Sequence, residues 1–207
     1  MAGISGYAHS AAGHRLSSER LSKRLWEVCM QQAHPLEPFF QQAVRNSYEG
    51  KLGLHDPDVT GYVAHLLCEF SQADNLYKVR DQAGRPIEEL TEMMLAADPV
   101  HGSAPSFDAE RAVRKHIGDY ALFVSGMYPE SMDPYRRRHG QQSFEELVKV
   151  GKESYYIVSQ FDLEEYADEA PMFRRLAGWF DRCIYGLRLV REELTNNKPG
   201  FLPARVS

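Results

Sequence analysis

The chain has 207 residues, 43% hydrophobic and 26% charged, with 24 Lys plus Arg against 29 Asp plus Glu and a net charge of −5. A folded monomer of this size buries roughly 70% of the surface its extended chain exposes, which allows one sizeable core without disulfide staples. The apolar and aromatic content excludes intrinsic disorder, the acidic balance argues against nucleic-acid binding driven by counterion release, and no run approaches the roughly 20 apolar residues of a membrane-spanning helix.

The three cysteines, Cys29, Cys68 and Cys183, are far apart and form no CxxC. Such usage fits a reducing cytosol and buried free thiols. The first residues lack the basic and apolar regions of a secretory signal. The expectation is a cytoplasmic single helical domain over 1–207, with flexible tails at 1–15 and 198–207, and with neither a membrane nor a nucleic acid as partner.

A first helix is expected over Ser17 to Gln32, where Leu21, Leu25, Val28 and Cys29 share one face. His34-Pro35 then forces a break. A second helix covers Leu36 to Glu49 and stops at the glycines from Gly50 to Gly53. Asp56-Pro57 combines an N-cap with proline at the first helical position, and the third helix carries Val59, Tyr62, Val63, Leu66, Leu67, Phe70 and Leu76. Asp81 to Arg85 reads as a turn. Pro86 opens a short fourth helix through Ile87, Leu90, Met94 and Leu95, ended by Asp98-Pro99.

The fifth helix, from about Asp108, is apolar nearly all round between Ile117 and Met127, as a helix buried on most sides must be. It is placed at the centre of the bundle and ends at Pro129. Ser143 with Glu146 forms a capping box for the sixth helix, which bears Phe144, Leu147, Val148, Tyr155 and Val158. The seventh opens at Pro171 and stops at Asn196-Asn197 and Pro199. Its face from Leu176 to Leu194 reads as core, with a homodimer surface as the other use. No segment alternates with period two. The prediction is an all-α, single-domain bundle of about seven helices.

Chemistry concentrates on the fifth helix. Asp119 lies in a stretch otherwise suited to burial, and a buried carboxylate costs several kcal/mol unless it is paired or hydrogen-bonded. It needs a partner, such as Lys115 one turn earlier or an arginine from another helix, or it titrates upward and acts as an acid. Gly118 and Gly126 each cost about 1 kcal/mol relative to Ala in a helix interior, so they imply a kink or the close approach of a backbone or ligand. His116, Asp119 and Tyr120 here, with Tyr62, His65 and Glu69 on the third helix, are the candidate ligand-binding residues.

His65 and Glu69, at i and i+4, also form a candidate metal pair next to Cys68, to be completed by His116 or Asp119. A surface ion pair is the plainer reading, and the chain has no Glu-x-x-His of the ferritin-like type. Arg136-Arg137-Arg138-His139 precedes a helix start, where anions bind. It reads first as a solvated loop, or as balance for the acidic cluster Asp162, Glu164, Glu165, Asp168 and Glu169. P-loop, GxGxxG, GxSxG, HExxH and EF-hand patterns are absent, which removes the commonest hydrolase and nucleotide-binding readings.

The stretch His116-Ile-Gly-Asp-Tyr-Ala-Leu-Phe-Val-Ser-Gly-Met-Tyr-Pro-Glu130 resembles the signature of an uncharacterised bacterial family of helical proteins. Tyr62-Val-Ala-His-Leu-Leu-Cys-Glu-Phe70 belongs to the same pattern. That resemblance covers about a quarter of the chain and implies no activity. Ile117-Gly118-Asp119 is also similar to the start of the distal-helix motif of haem oxygenases, where the Asp orders water near the iron. By that likeness His14, in Ala12-Gly-His-Arg15, stands as counterpart of the proximal haem ligand, although Tyr-Ala-Leu-Phe replaces Leu-Ser-Gly-Gly after the Asp.

The leading expectation is therefore a helical bundle without cofactor that binds a small apolar ligand or a protein partner, a second copy of itself included. The rival is a haem-dependent or iron-dependent enzyme using His65, Glu69, His116 and Asp119, or His14 with Asp119.

Overall fold

The computed structural model describes residues 35–197 apart from 82, 88, 99–101, 103, 105, 133–142 and 163. From Leu36 onward the described residues belong to one compact unit. They form seven α-helices and no strand: α1 Glu37–Arg45, α2 Pro57–Phe70, α3 Leu90–Ala97, α4 Phe107–Met127, α5 Phe144–Val158, α6 Ala170–Gly178 and α7 Phe180–Asn197. The expected helix over 17–32, His14, the Arg136–Arg138 run and the two tails lie outside the described residues.

The bundle is built around α4, the fifth helix of the sequence reading. Ser106 caps it by accepting from the Ala109 N–H, two residues before the expected start. Every residue from His116 to Met127 is buried, as an all-round apolar stretch requires. It packs most extensively on α5, then on α7 and α3.

Glycines set these contacts. A Cβ at Gly118 would overlap the Tyr155 ring of α5, and one at Gly126 would overlap Leu187 of α7. The close approach implied by the two glycines is thus made by side chains of neighbouring helices. The helix-seven face from Leu176 to Leu194 goes into the same core: Leu176, Phe180, Cys183, Leu187 and Val190 are fully enclosed within the chain. Burying each large apolar side chain of this kind contributes about 1.5–3 kcal/mol.

Caps fix the entry angles. Asp56 accepts from the Val59 N–H at the start of α2, and Arg175 of α6 reaches it with its Nε at 2.7 Å. Ser143 and Glu146 form the predicted capping box of α5.

Four boundaries differ from the sequence reading. The second helix is α-helical only to Arg45 and continues as a π-helical turn, Asn46–Lys51. That widening accompanies the inward placement of Tyr48, whose hydroxyl donates to the Cys183 carbonyl at 2.6 Å. Gly53, at φ 65°, ends it. The third helix stops at Phe70, where the Ser71 hydroxyl takes the Cys68 carbonyl, and Leu76 lies on a separate 3-10 turn, Ala73–Tyr77.

Pro86 does not open a helix. It sits in a tight antiparallel bridge with Arg80, the Ile87 N–H donating to Val79 O, and α3 begins only at Leu90. Asp81 stabilises that turn by accepting from the Ala83 and Arg85 N–H groups, a local alternative to helix that short polar side chains favour. The predicted seventh helix is two, broken at Trp179, whose φ of −105° and ψ of 16° leave the helical region just after Gly178.

Candidate functional site

Asp119 is 3% exposed and lies where α2, α4 and α5 meet. Its Oδ1 accepts from the hydroxyl of Tyr62 on α2 at 2.5 Å and from the hydroxyl of Tyr155 on α5 at 2.7 Å. Its Oδ2 accepts from the Lys115 ammonium at 3.0 Å. Helical spacing explains the lysine, since i and i+4 are neighbours. Gly118 explains Tyr155, because its missing side chain lets the ring come close enough for the hydroxyl to reach the carboxylate. Three donors on one carboxylate supply the compensation that burial demands.

The electrostatics are those of a locked ion pair. Burial alone would lower the Lys115 pKa, but the Asp119 charge and hydrogen bond outweigh it and hold the ammonium above its ordinary value. The Lys115 ammonium also stands 5.0 Å from the centre of the Tyr62 ring. Burial, and then Asp119, pushes both tyrosine hydroxyls well above the ordinary phenol range. They act as hydrogen-bond donors throughout the neutral range.

The other sequence candidates disperse. His116 is buried and turned away, with Nε2 3.1 Å from the Leu76 carbonyl. Burial lowers its pKa against the pull of Asp119, so the imidazole is neutral at pH 7. His65 stands half-exposed on the outer face of α2 and is 4.0 Å from Glu69, the plain surface pair. Glu69 is held mainly by Lys78 at 2.9 Å. Burial would raise its pKa, but Lys78, with Lys115 and His65 behind it, brings it below the ordinary range. Tyr120 is buried on α4.

These residues do not compose the donor set of a metal or haem site. Both Asp119 oxygens are engaged by donors, the His116 Nε2 is on a carbonyl, and the Tyr155 ring fills the space beside Gly118. Among the described residues no three His, Cys, Asp or Glu side chains are grouped to hold a metal ion. Cys68 and Cys183 are buried free thiols pushed up to about 12 by burial. They are packing residues with little thiolate.

Within the acidic cluster, Glu169 meets an arginine of α4. Arg111, buried on α4, donates to its Oε2 at 2.7 Å and lies with its guanidinium carbon 3.8 Å from the centre of the Tyr166 ring.

A second region has different character. Beside the C-terminal half of α7, where the chain turns through Pro129–Met132, an open depression of about 430 Å³ is lined by Pro129, Arg188, Arg191, Glu192, Thr195 and Asn196. Arg191 is committed: its two terminal nitrogens donate to the two oxygens of Glu130 at 2.8 and 2.9 Å. The Thr195 hydroxyl donates to the Arg191 carbonyl. Arg188 is not committed. Its guanidinium carbon lies 5.6 Å from the centre of the Phe144 ring, and its Nε is buried without a hydrogen-bond partner.

Sequence reasoning missed two parts of this picture. Tyr155 reads as one more apolar residue of the sixth helix, and only its hydroxyl could have marked it as a donor for Asp119. Arg188 and Glu192 stand at i and i+4 on a helix whose apolar face draws the attention. By class, then, the chain is an all-α bundle with an internally satisfied polar seam and an open surface depression. Comparison with family models, with curated proteins and with solved structures finds no match, so function is argued from these residues alone. No helix among the described residues is long and apolar enough to cross a membrane.

Proposed function

We propose that this protein is a small-molecule-binding helical bundle, and that its ligand sits in the depression beside the end of α7 while the Asp119 seam holds the framework. The observation that carries this is the contrast in how polar groups are used. Around Asp119, three side chains of this chain already take the carboxylate. In the depression, about 430 Å³ of open space adjoins a guanidinium that no carboxylate of the described residues takes. Ligand clefts commonly have volumes of about 300–1,000 Å³ and a few polar groups that fix orientation.

The room left by Gly118 and Gly126 is filled by Tyr155 and Leu187, which argues against an apolar ligand beside the central helix. The test is ligand-observed NMR saturation transfer to a panel of small aromatic acids, amides and amines, with the native protein and with Thr195→Trp, which fills the depression from its exposed rim. Transfer that disappears in Thr195→Trp supports the site. Transfer equal in both proteins places the ligand elsewhere and overturns it.

A further inference from the structure

An arginine and a glutamate at i and i+4 on one helix ordinarily pair with each other. Arg188 and Glu192 have that spacing on α7 and both line the depression, yet Arg188 is turned onto the Phe144 ring instead. That cation–π contact leaves the two terminal nitrogens, which no described residue takes, for an acceptor. Arg191 cannot serve in its place, because Glu130 takes both its terminal nitrogens. Arg188 is half-buried; its Nε is enclosed without a hydrogen-bond partner, as are those of Arg111 and Arg114, so its terminal nitrogens are the donors that an incoming acceptor meets.

A guanidinium presents its donors in a fork that fits a planar oxyanion with two parallel hydrogen bonds. Outside the Arg191–Glu130 pair, the other charge on the rim is Glu192, one helical turn away, which repels dianions more than monoanions. Pro129 supplies an apolar wall.

Resting on the proposal that the depression is a ligand site, we infer that its ligand is a small carboxylic acid with an apolar body. The carboxylate binds the fork of Arg188, and the body lies toward Pro129. Glu192 selects a single negative charge over two.

The experiment is calorimetric titration of the full chain with benzoate, benzamide and inorganic phosphate, in the native protein and in Arg188→Gln, Glu192→Gln and Thr195→Trp. Benzoate is expected to bind the native protein and to weaken about tenfold or more in Arg188→Gln, which loses a charge-assisted fork. It should tighten about threefold in Glu192→Gln and be lost in Thr195→Trp, with phosphate weaker than benzoate in the native protein. Benzoate binding unchanged by Arg188→Gln overturns the inference. So does benzamide binding as well as benzoate, although if Thr195→Trp abolishes both, the depression remains a ligand site of another class. Binding of none of the three probes in the native protein overturns the carboxylate inference, and the broader panel of the NMR test then decides on the site.

Discussion

The seam around Asp119 and the depression beside α7 use the same kinds of group to opposite ends. In the seam, a carboxylate 3% exposed is surrounded by donors from α2, α4 and α5. In the depression, a half-buried guanidinium has an aromatic ring beneath it and an unmatched Nε. A charge in the core has to be matched by the chain itself, because an unmatched one opposes folding. A charge at the edge of an open space can be left for a ligand, since water serves its exposed nitrogens meanwhile. With the depression as the proposed site, the difference teaches that the most expensive group in a sequence need not mark where a ligand binds.

The largest break in this comparison should come from Asp119→Ala. Removing the carboxylate strands Lys115 and two tyrosine hydroxyls, and truncating one partner of a buried charged cluster costs about 3–5 kcal/mol, read as the urea unfolding free energy. Asp119→Asn keeps an acceptor for the hydroxyls and should lose less.

The seam also sets an alkaline limit. Tyr62, Tyr155 and Lys115 all have pKa values raised in the folded protein, so above their unfolded values, about 10, the folded state binds more protons than the unfolded chain. Stability is then lost as pH rises, and Tyr155→Phe should flatten that limb of a stability–pH profile.

Two glycines sharpen the account of the packing. Gly118→Ala forces a methyl into the Tyr155 ring, and overpacking of this kind costs about 1–3 kcal/mol. Gly61, exposed on α2 with nothing within 4 Å of its Cβ position, should respond with the opposite sign. Gly61→Ala is expected to stabilise by roughly 0.5–1 kcal/mol. Thermal or urea unfolding of the two variants side by side checks both signs.

The smallest effect on stability belongs to the depression. Arg188→Gln touches no ion pair among the described residues and should stay within about 0.5 kcal/mol of the native protein. Breaking the partly exposed Arg191–Glu130 pair by Arg191→Ala should cost about 0.2–1 kcal/mol.

The fold was legible where the physics is local. Apolar positions at helical spacing located α1, α2, α4, α5 and the α6–α7 region, and the caps Asp56 and Ser143 act as their side chains suggest. It was illegible where a long-range contact decides. The π-helical turn at Asn46–Lys51 answers to Tyr48 entering the core against Cys183, 135 positions away. Pro86 differs for a local reason: it pairs with Arg80 across the turn that Asp81 holds, and so stays extended.

Of the candidate site, Asp119 and its Lys115 partner follow from i, i+4 spacing alone. Tyr62 and Tyr155 come from other helices and needed the packing. Whether Arg188 pairs with Glu192 or turns onto Phe144 is settled by where α5 lies, which no local pattern in α7 records.

The central claim is that framework and binding site are separate places on the bundle. A ligand that binds only the folded state raises stability in proportion to the logarithm of its occupancy, so the decisive measurement is the shift in urea midpoint produced by saturating benzoate. The native protein and Asp119→Asn should shift upward equally, the variant from a lower starting point, while Arg188→Gln should not shift. No shift in the native protein, or a shift retained in Arg188→Gln and lost in Asp119→Asn, would contradict the account.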